Sequence, residues 1–149
     1  MVVMGIDPGR KRIGIALSDP TGLLATAYKV IHRTTSDRDL EEIRRIAEHE
    51  NVEKIVVGLP LHMSGYEGEE AVRARELAKQ IETATGLPVE LVDERLTSVE
   101  AERRLLESRR KLGKLGRKKL AIDAEAAAVL LQDYLDQERL RQRAIDSSL

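Results

Sequence analysis

Four acids in three widely separated segments stand where they could work on a phosphodiester. Asp7 follows the apolar run Val3-Met4-Gly5-Ile6 and precedes Pro8-Gly9. Asp93 and Glu94 follow Val89-Glu90-Leu91-Val92, and Asp123 falls in the first turn of the last helix that the sequence predicts. Acids just past buried strands occupy the edge where open α/β sheets bind ligands. Two adjacent acids after an apolar strand are costly to place there without a compensating cation. Gathered at one spot, such carboxylates repel one another unless metal ions neutralise them. The chain has no cysteine, so the available donors are oxygen and histidine nitrogen, and these favour Mg2+ or Mn2+. Two such ions roughly 3.5–4 Å apart, with Asp7 shared between them, could activate a water and stabilise the leaving oxygen of an in-line phosphoryl transfer. Water would then be the nucleophile, and no Ser-His-Asp or Cys-His arrangement is required. Blander roles compete: Asp7-Pro8-Gly9 is also a good turn sequence, Glu94 could pair with Arg95, and Asp93 could cap its turn. The residues alone leave open which of Asp93 and Glu94 turns inward.

A polyanion substrate needs cations near these acids. Net charge is only -1, but between Arg103 and Lys119 nine basic residues face one acid, Glu107. The glycine-punctuated stretch 109–119, with Arg109, Arg110, Lys111, Lys114, Arg117, Lys118 and Lys119, reads as a flexible basic loop that could hold phosphates by counterion release. Arg10, Lys11 and Arg12 extend such a track beside Asp7, Arg95 beside Glu94, and the amides of Thr97 and Ser98 open a helix where a phosphate could dock. The only tyrosines are Tyr28, Tyr66 and Tyr134, with no Phe or Trp, so base stacking is not expected to dominate recognition.

The elements that must position these residues follow from periodicity. Strands are expected over 2–6, 13–17, 24–31, 54–58 and 89–92, the fourth an unbroken apolar run suited to burial on both faces. Ser36, with Asp39 at capping-box spacing, predicts a helix burying Leu40, Ile43, Ile46 and Ala47. A second helix carries Ala71, Ala74, Ala78 and Ile81 in register and stops at Gly86 and Pro88. Thr97-Ser98-Val99-Glu100 predicts a third over 97–108. The last begins near Ala121 with Ile122, Ala126, Val129 and Leu130 inward, and 137–149 reads as a polar C-terminal tail. The expected architecture is α/β: a mixed five-stranded sheet, three antiparallel strands then two parallel, with helices on both faces. A length of 149 residues fits one domain. Nothing reaches the roughly 18 apolar residues of a membrane span, and a cytoplasmic protein is expected.

In order along the chain, Asp7-Pro8-Gly9 with 12–19, Val56-Val57-Gly58-Leu59-Pro60 with Met63-Ser64-Gly65, Asp93-Glu94-Arg95-Leu96-Thr97-Ser98, and Asp123-Ala124-Glu125-Ala126-Ala127 with 130–135 closely resemble the YqgF/RuvX family. The resemblance implies a ribonuclease H-like fold, Holliday junction resolvase ancestry and a role in maturing the 5′ end of pre-16S ribosomal RNA. It also implies that Asp7, Glu94 and Asp123 are the catalytic and metal-binding carboxylates, with Asp93 the alternate. His62 departs from it, because the family often has asparagine there. Structured RNA is the expected partner, branched DNA or a noncatalytic assembly role the alternatives, and the chain could act as a monomer or homodimer. A phosphotransferase of the sugar-kinase type, which also opens on an Asp-x-Gly turn, would need two such domains.

Overall fold

Alternation along a strand sends successive side chains to opposite faces, and the apolar strands here use both. The computed structural model describes residues 1–94 and 117–148, with only the backbone course described for 117–123. Strands β1 (Val2–Pro8), β2 (Arg12–Ser18), β3 (Ala25–His32), β4 (Val52–Leu59) and β5 (Val89–Asp93) form one sheet in the order β3-β2-β1-β4-β5. β1, β2 and β3 are antiparallel neighbours, whereas β4 runs parallel to β1 and β5 parallel to β4. This is the mixed, ribonuclease H-like α/β sheet expected from the sequence.

On one face Met4, Ile6, Ile13, Ile15, Ile55 and Val57 pack against α1 (Ser36–His49) and α2 (Glu69–Thr85) through Ile43, Ile46, Leu77, Ala78 and Ile81. On the other, Val3, Ala16 and Val56 lie under α3 (Arg117–Ser147). Of the residues expected inward on the last helix, Leu130 is buried and Val129 partly so, but the buried face is centred elsewhere. Ala127, Ala128, Leu131, Tyr134 and Leu135 are buried, whereas Ala126 is exposed. The cause is a close approach at Gly5, where a Cβ would stand 2.8 Å from the Leu131 Cβ and 3.2 Å from the Ala127 carbonyl oxygen. Only a hydrogen at position 5 admits the helix.

Three contacts set the direction of α3. The Lys54 Nζ donates to the Tyr134 hydroxyl at 2.5 Å, and Lys54 is the register partner of Val3 near the start of β1. Gln132 holds the start of β3, accepting from the Ala25 amide and donating to the Leu23 carbonyl, both at 2.9 Å. Leu131 and Ala127 then cover Gly5. Going backwards along α3 therefore means going forwards along β1. Position 123, one turn before Ala127, is carried toward the end of the sheet where β1 finishes at Asp7-Pro8.

Two boundaries differ from expectation. The α1 cap is Thr35, in extended backbone and accepting from the Arg38 amide at 3.3 Å, which puts Ser36 inside the helix. α3 starts at Arg117, so 117–119 of the expected basic loop are helical, and the helix continues to Ser147 through most of the expected tail. α2 ends as predicted, on Gly86 at φ 72°. The expected helix over 97–108 and the basic run 109–116 lie outside the described residues. Among the described residues no helix is long and apolar enough to cross a membrane.

Candidate active site

The turn after Asp7 is fixed by its own backbone. The Gly9 amide donates to the Arg12 carbonyl at 2.9 Å, and a Cβ on Gly9 would lie 2.4 Å from that same oxygen. From the side, the Arg33 amide donates to the Lys11 carbonyl at 2.8 Å, and its guanidinium Nη1 donates to the Gly9 carbonyl at 2.9 Å. Behind Arg33 stands Asp39, only 3% exposed, 3.8 Å from the Arg33 Nε and accepting from the Thr34 amide and hydroxyl. The acid that spacing assigned to a helix cap anchors the arginine that braces the Asp7 turn.

β4 separates β1 from β5, yet Asp7 and Glu94 meet. Gly58 makes this possible: a Cβ there would lie 2.4 Å from Glu94 Oε1 and 3.0 Å from its carboxyl carbon. The Glu94 carboxyl lies in the space that a side chain on β4 would fill, and from there it shares a hydrogen bond with Asp7. Burial, then that hydrogen bond, then the charges of Asp7, Glu70 and Asp93 push the Glu94 carboxyl up to about 8. Two carboxyls in contact cannot both ionise cheaply, so a shared proton or a cation must hold them together. The donor set is all oxygen, which fits a hard divalent ion.

Asp7 and Glu94 are thus the predicted acids that the fold brings together. Asp93 ends β5 opposite Leu59 and adds charge nearby. Asp123 lies on α3, with its side chain outside what is described. Among the described residues no group of three His, Asp or Glu is arranged to hold a metal.

Of the basic residues, Arg10 pairs with Glu70 at 3.5 Å, both side chains well exposed, which is a weak and exchangeable contact. Lys11 is exposed at the turn, and Arg12 opens β2 opposite His32. Arg117, Lys118 and Lys119 lie in the opening turn of α3. Arg95, Thr97, Ser98, Arg109, Arg110, Lys111 and Lys114 lie outside the described residues. Sequence reading missed Gly58, Glu70 and the Arg33–Asp39 brace. Only Gly58 carried a signal, as a glycine inside a strand marks a close approach.

Residues 1–137 match the family model described as RuvX, Holliday junction resolvase. Over 136 residues the chain is 45% identical to a Syntrophomonas wolfei protein named "Putative pre-16S rRNA nuclease", covering 91% of this chain and 94% of that one. A Synechocystis protein of the same name is 41% identical over 139 residues, covering 93% and 90%. Among solved structures, Thermus thermophilus RuvC in complex with Holliday junction substrate matches with a TM-score of 0.61 at 20% identity, covering 93% of this chain and 96% of that one. The fowlpox virus resolvase with its junction DNA matches at 0.54 and 12% identity, covering 92% and 98%. At these identities the structural likeness speaks to the fold.

Proposed function

The chain belongs to the RuvX family, described as Holliday junction resolvases, and we propose that it is a nuclease that hydrolyses phosphodiester bonds in maturing the 5′ end of pre-16S ribosomal RNA. The observation that carries this reading is the contact of Asp7 with Glu94 across Gly58, at the sheet end toward which α3 brings position 123. Relatives above 40% identity with the rRNA nuclease name support RNA as the substrate.

Asp7, Glu94 and Asp123 would hold Mg2+ or Mn2+, which supplies an activated water and charge stabilisation at the leaving oxygen when bound. Glu94 must give up the proton it shares with Asp7 before both can serve as ligands. The Arg33–Asp39 brace holds the Asp7 turn in place while that happens. Arg10 and Lys11, beside the acids, take phosphates of the bound strand, joined by Arg12, Arg95, the amides of Thr97 and Ser98 and the cations of 109–119. The reaction is placed in the cytoplasm.

A second reading, resolution of branched DNA, is favoured by the family description and by the fold shared with RuvC. It calls for two sites acting together, hence a homodimer, whereas a monomer suits RNA processing. The test is cleavage of a pre-16S 5′ fragment and of a four-way DNA junction by one preparation, with rRNA termini mapped in depleted cells. Asp7→Asn is expected to abolish cutting and keep binding. Equal cutting by Asp7→Asn and the parent chain would remove the site. Binding without cutting by the parent chain would leave an assembly factor.

A further inference from the structure

The loop between β4 and α2 displays apolar side chains at the surface. Met63 is 88% exposed and Tyr66 66% exposed. The loop is nonetheless built: the His62 amide donates to the Tyr66 carbonyl at 3.0 Å, and the Gly65 amide to the His62 carbonyl at 2.8 Å, with Gly65 at φ 89°. That pairing brings the His62 and Tyr66 rings to 5.3 Å between centroids, tilted by 31°. Glu67, the next residue, is clamped by two bonds from Arg75 at 2.6 and 2.9 Å. The imidazole rests on Gly68, its Nε2 2.8 Å from where a Cβ would be.

The His62 ring borders a cleft of about 390 Å³ whose walls also include Arg10, Pro60, Leu61 and Glu70, and the Tyr66 ring packs beside His62. The cleft adjoins the carboxylates. Arg10 is three residues past Asp7 in the turn, and the Glu70 charge acts on Glu94. The cleft wall therefore carries an exchangeable cation, Arg10, and an imidazole backed by the Tyr66 ring, beside a pair of acids suited to phosphodiester chemistry. Unstacked bases are held on aromatic faces, whereas bases within a duplex cannot reach such a surface.

We infer that this cleft receives one unpaired nucleotide flanking the cut, its base stacked on the His62–Tyr66 step and its phosphate taken by Arg10. The inference rests on the nuclease reading above and narrows it: the substrate is single-stranded beside the cut. Glu70 holds Arg10 until a phosphate displaces it.

The experiment uses an RNA hairpin with a four-nucleotide 5′ extension, bound to the full chain in an Asp7→Asn background. 2-Aminopurine replaces one base of the extension at a time, and a blunt hairpin is the control. Quenching is expected at one position flanking the cut, lost in Tyr66→Ala and kept in Tyr66→Phe. Tyr66→Ala should weaken binding to the extended hairpin by roughly 5- to 100-fold and leave the blunt one within about twofold. Equal weakening on both hairpins, or a quench indifferent to Tyr66→Ala, overturns the inference. Cutting by the chain with Asp7 intact is scored separately: quench without cutting removes the nuclease reading and leaves the stacking step, and cutting without quench does the reverse.

Discussion

Asp7 and Glu94 share a hydrogen bond across a strand that belongs to neither of them, because β4 offers Gly58 where they meet. The shared proton has a consequence for stability. Glu94 is raised in the folded chain to about 8 from an ordinary 4.5. Below the lower value both folded and unfolded chains hold the proton; between the two only the folded chain does, so metal-free stability falls as pH rises through this window. Melting in EDTA should show a Tm that declines from about pH 5 to pH 8. In Glu94→Gln that slope should flatten. Mg2+ should raise the Tm more at the upper end, where it no longer competes with the proton. Parallel curves for the two proteins would show that Glu94 does not titrate in this window.

Gly58→Ala separates the site from the fold. The added methyl meets the end of a flexible side chain, and Gly58 has no positive φ to lose. Stability should change by less than about 1 kcal/mol, with the lost chain flexibility of glycine acting in its favour. Glu94 must swing away from Asp7, and a displacement of that kind costs roughly 100-fold in rate. Cleavage assays beside urea melts would show this, and an active Gly58→Ala would mean that Glu94 works from elsewhere.

The opposite pattern is expected at Gly5. There the methyl would meet the Leu131 Cβ at 2.8 Å and the Ala127 backbone at 3.2 Å, atoms that move only with the helix. Gly5→Ala should cost about 1–3 kcal/mol as overpacking, read from the urea midpoint. A neutral result would mean that α3 rides higher on the sheet.

The acids that end β1 and follow β5 were legible because an apolar run that stops at a carboxylate marks a strand end, and strand ends define the sheet's working edge. Partnership was not legible. That Glu94 reaches Asp7 depends on β5 lying beside β4 and on Gly58 lacking a side chain, and neither fact resides in the acids themselves. Asp39 misled for a related reason: its spacing from Ser36 imitates a capping box, while its carboxylate is engaged by Arg33 and Thr34, which follow β3. The start of α3 was misplaced because lysine and arginine carry no apolar period, although both favour helix, and the helix begins directly after Gly116.

The basic stretch is tested by salt. Replacing Arg110, Lys111, Lys114 and Lys118 together with neutral residues should weaken nucleic-acid binding at low salt and shrink the slope of log affinity against log salt by roughly 1 for each lost phosphate contact. The cutting rate at saturating substrate should change less than affinity, because these groups hold the strand and not the reacting atoms. An unchanged slope would move the binding face to another side of the sheet.

Arg33 offers the last separation, between holding the turn and holding the substrate. Its guanidinium joins the Gly9 carbonyl at 2.9 Å to Asp39, whose carboxylate is buried. Arg33→Ala removes a charged hydrogen bond and leaves the Thr34 amide and hydroxyl donating to Asp39, at an expected cost of about 1–3 kcal/mol. Arg33→Lys should recover only part of this, since an ammonium cannot point in both directions at once. If Arg33 acts through the Asp7 turn, kcat should fall while KM for the nucleic acid stays near the parent value, and the metal concentration for half activation should rise. If Arg33 instead touches phosphate, KM should rise and become less salt-dependent. The two patterns are distinguishable in one set of rate measurements across metal and salt concentration.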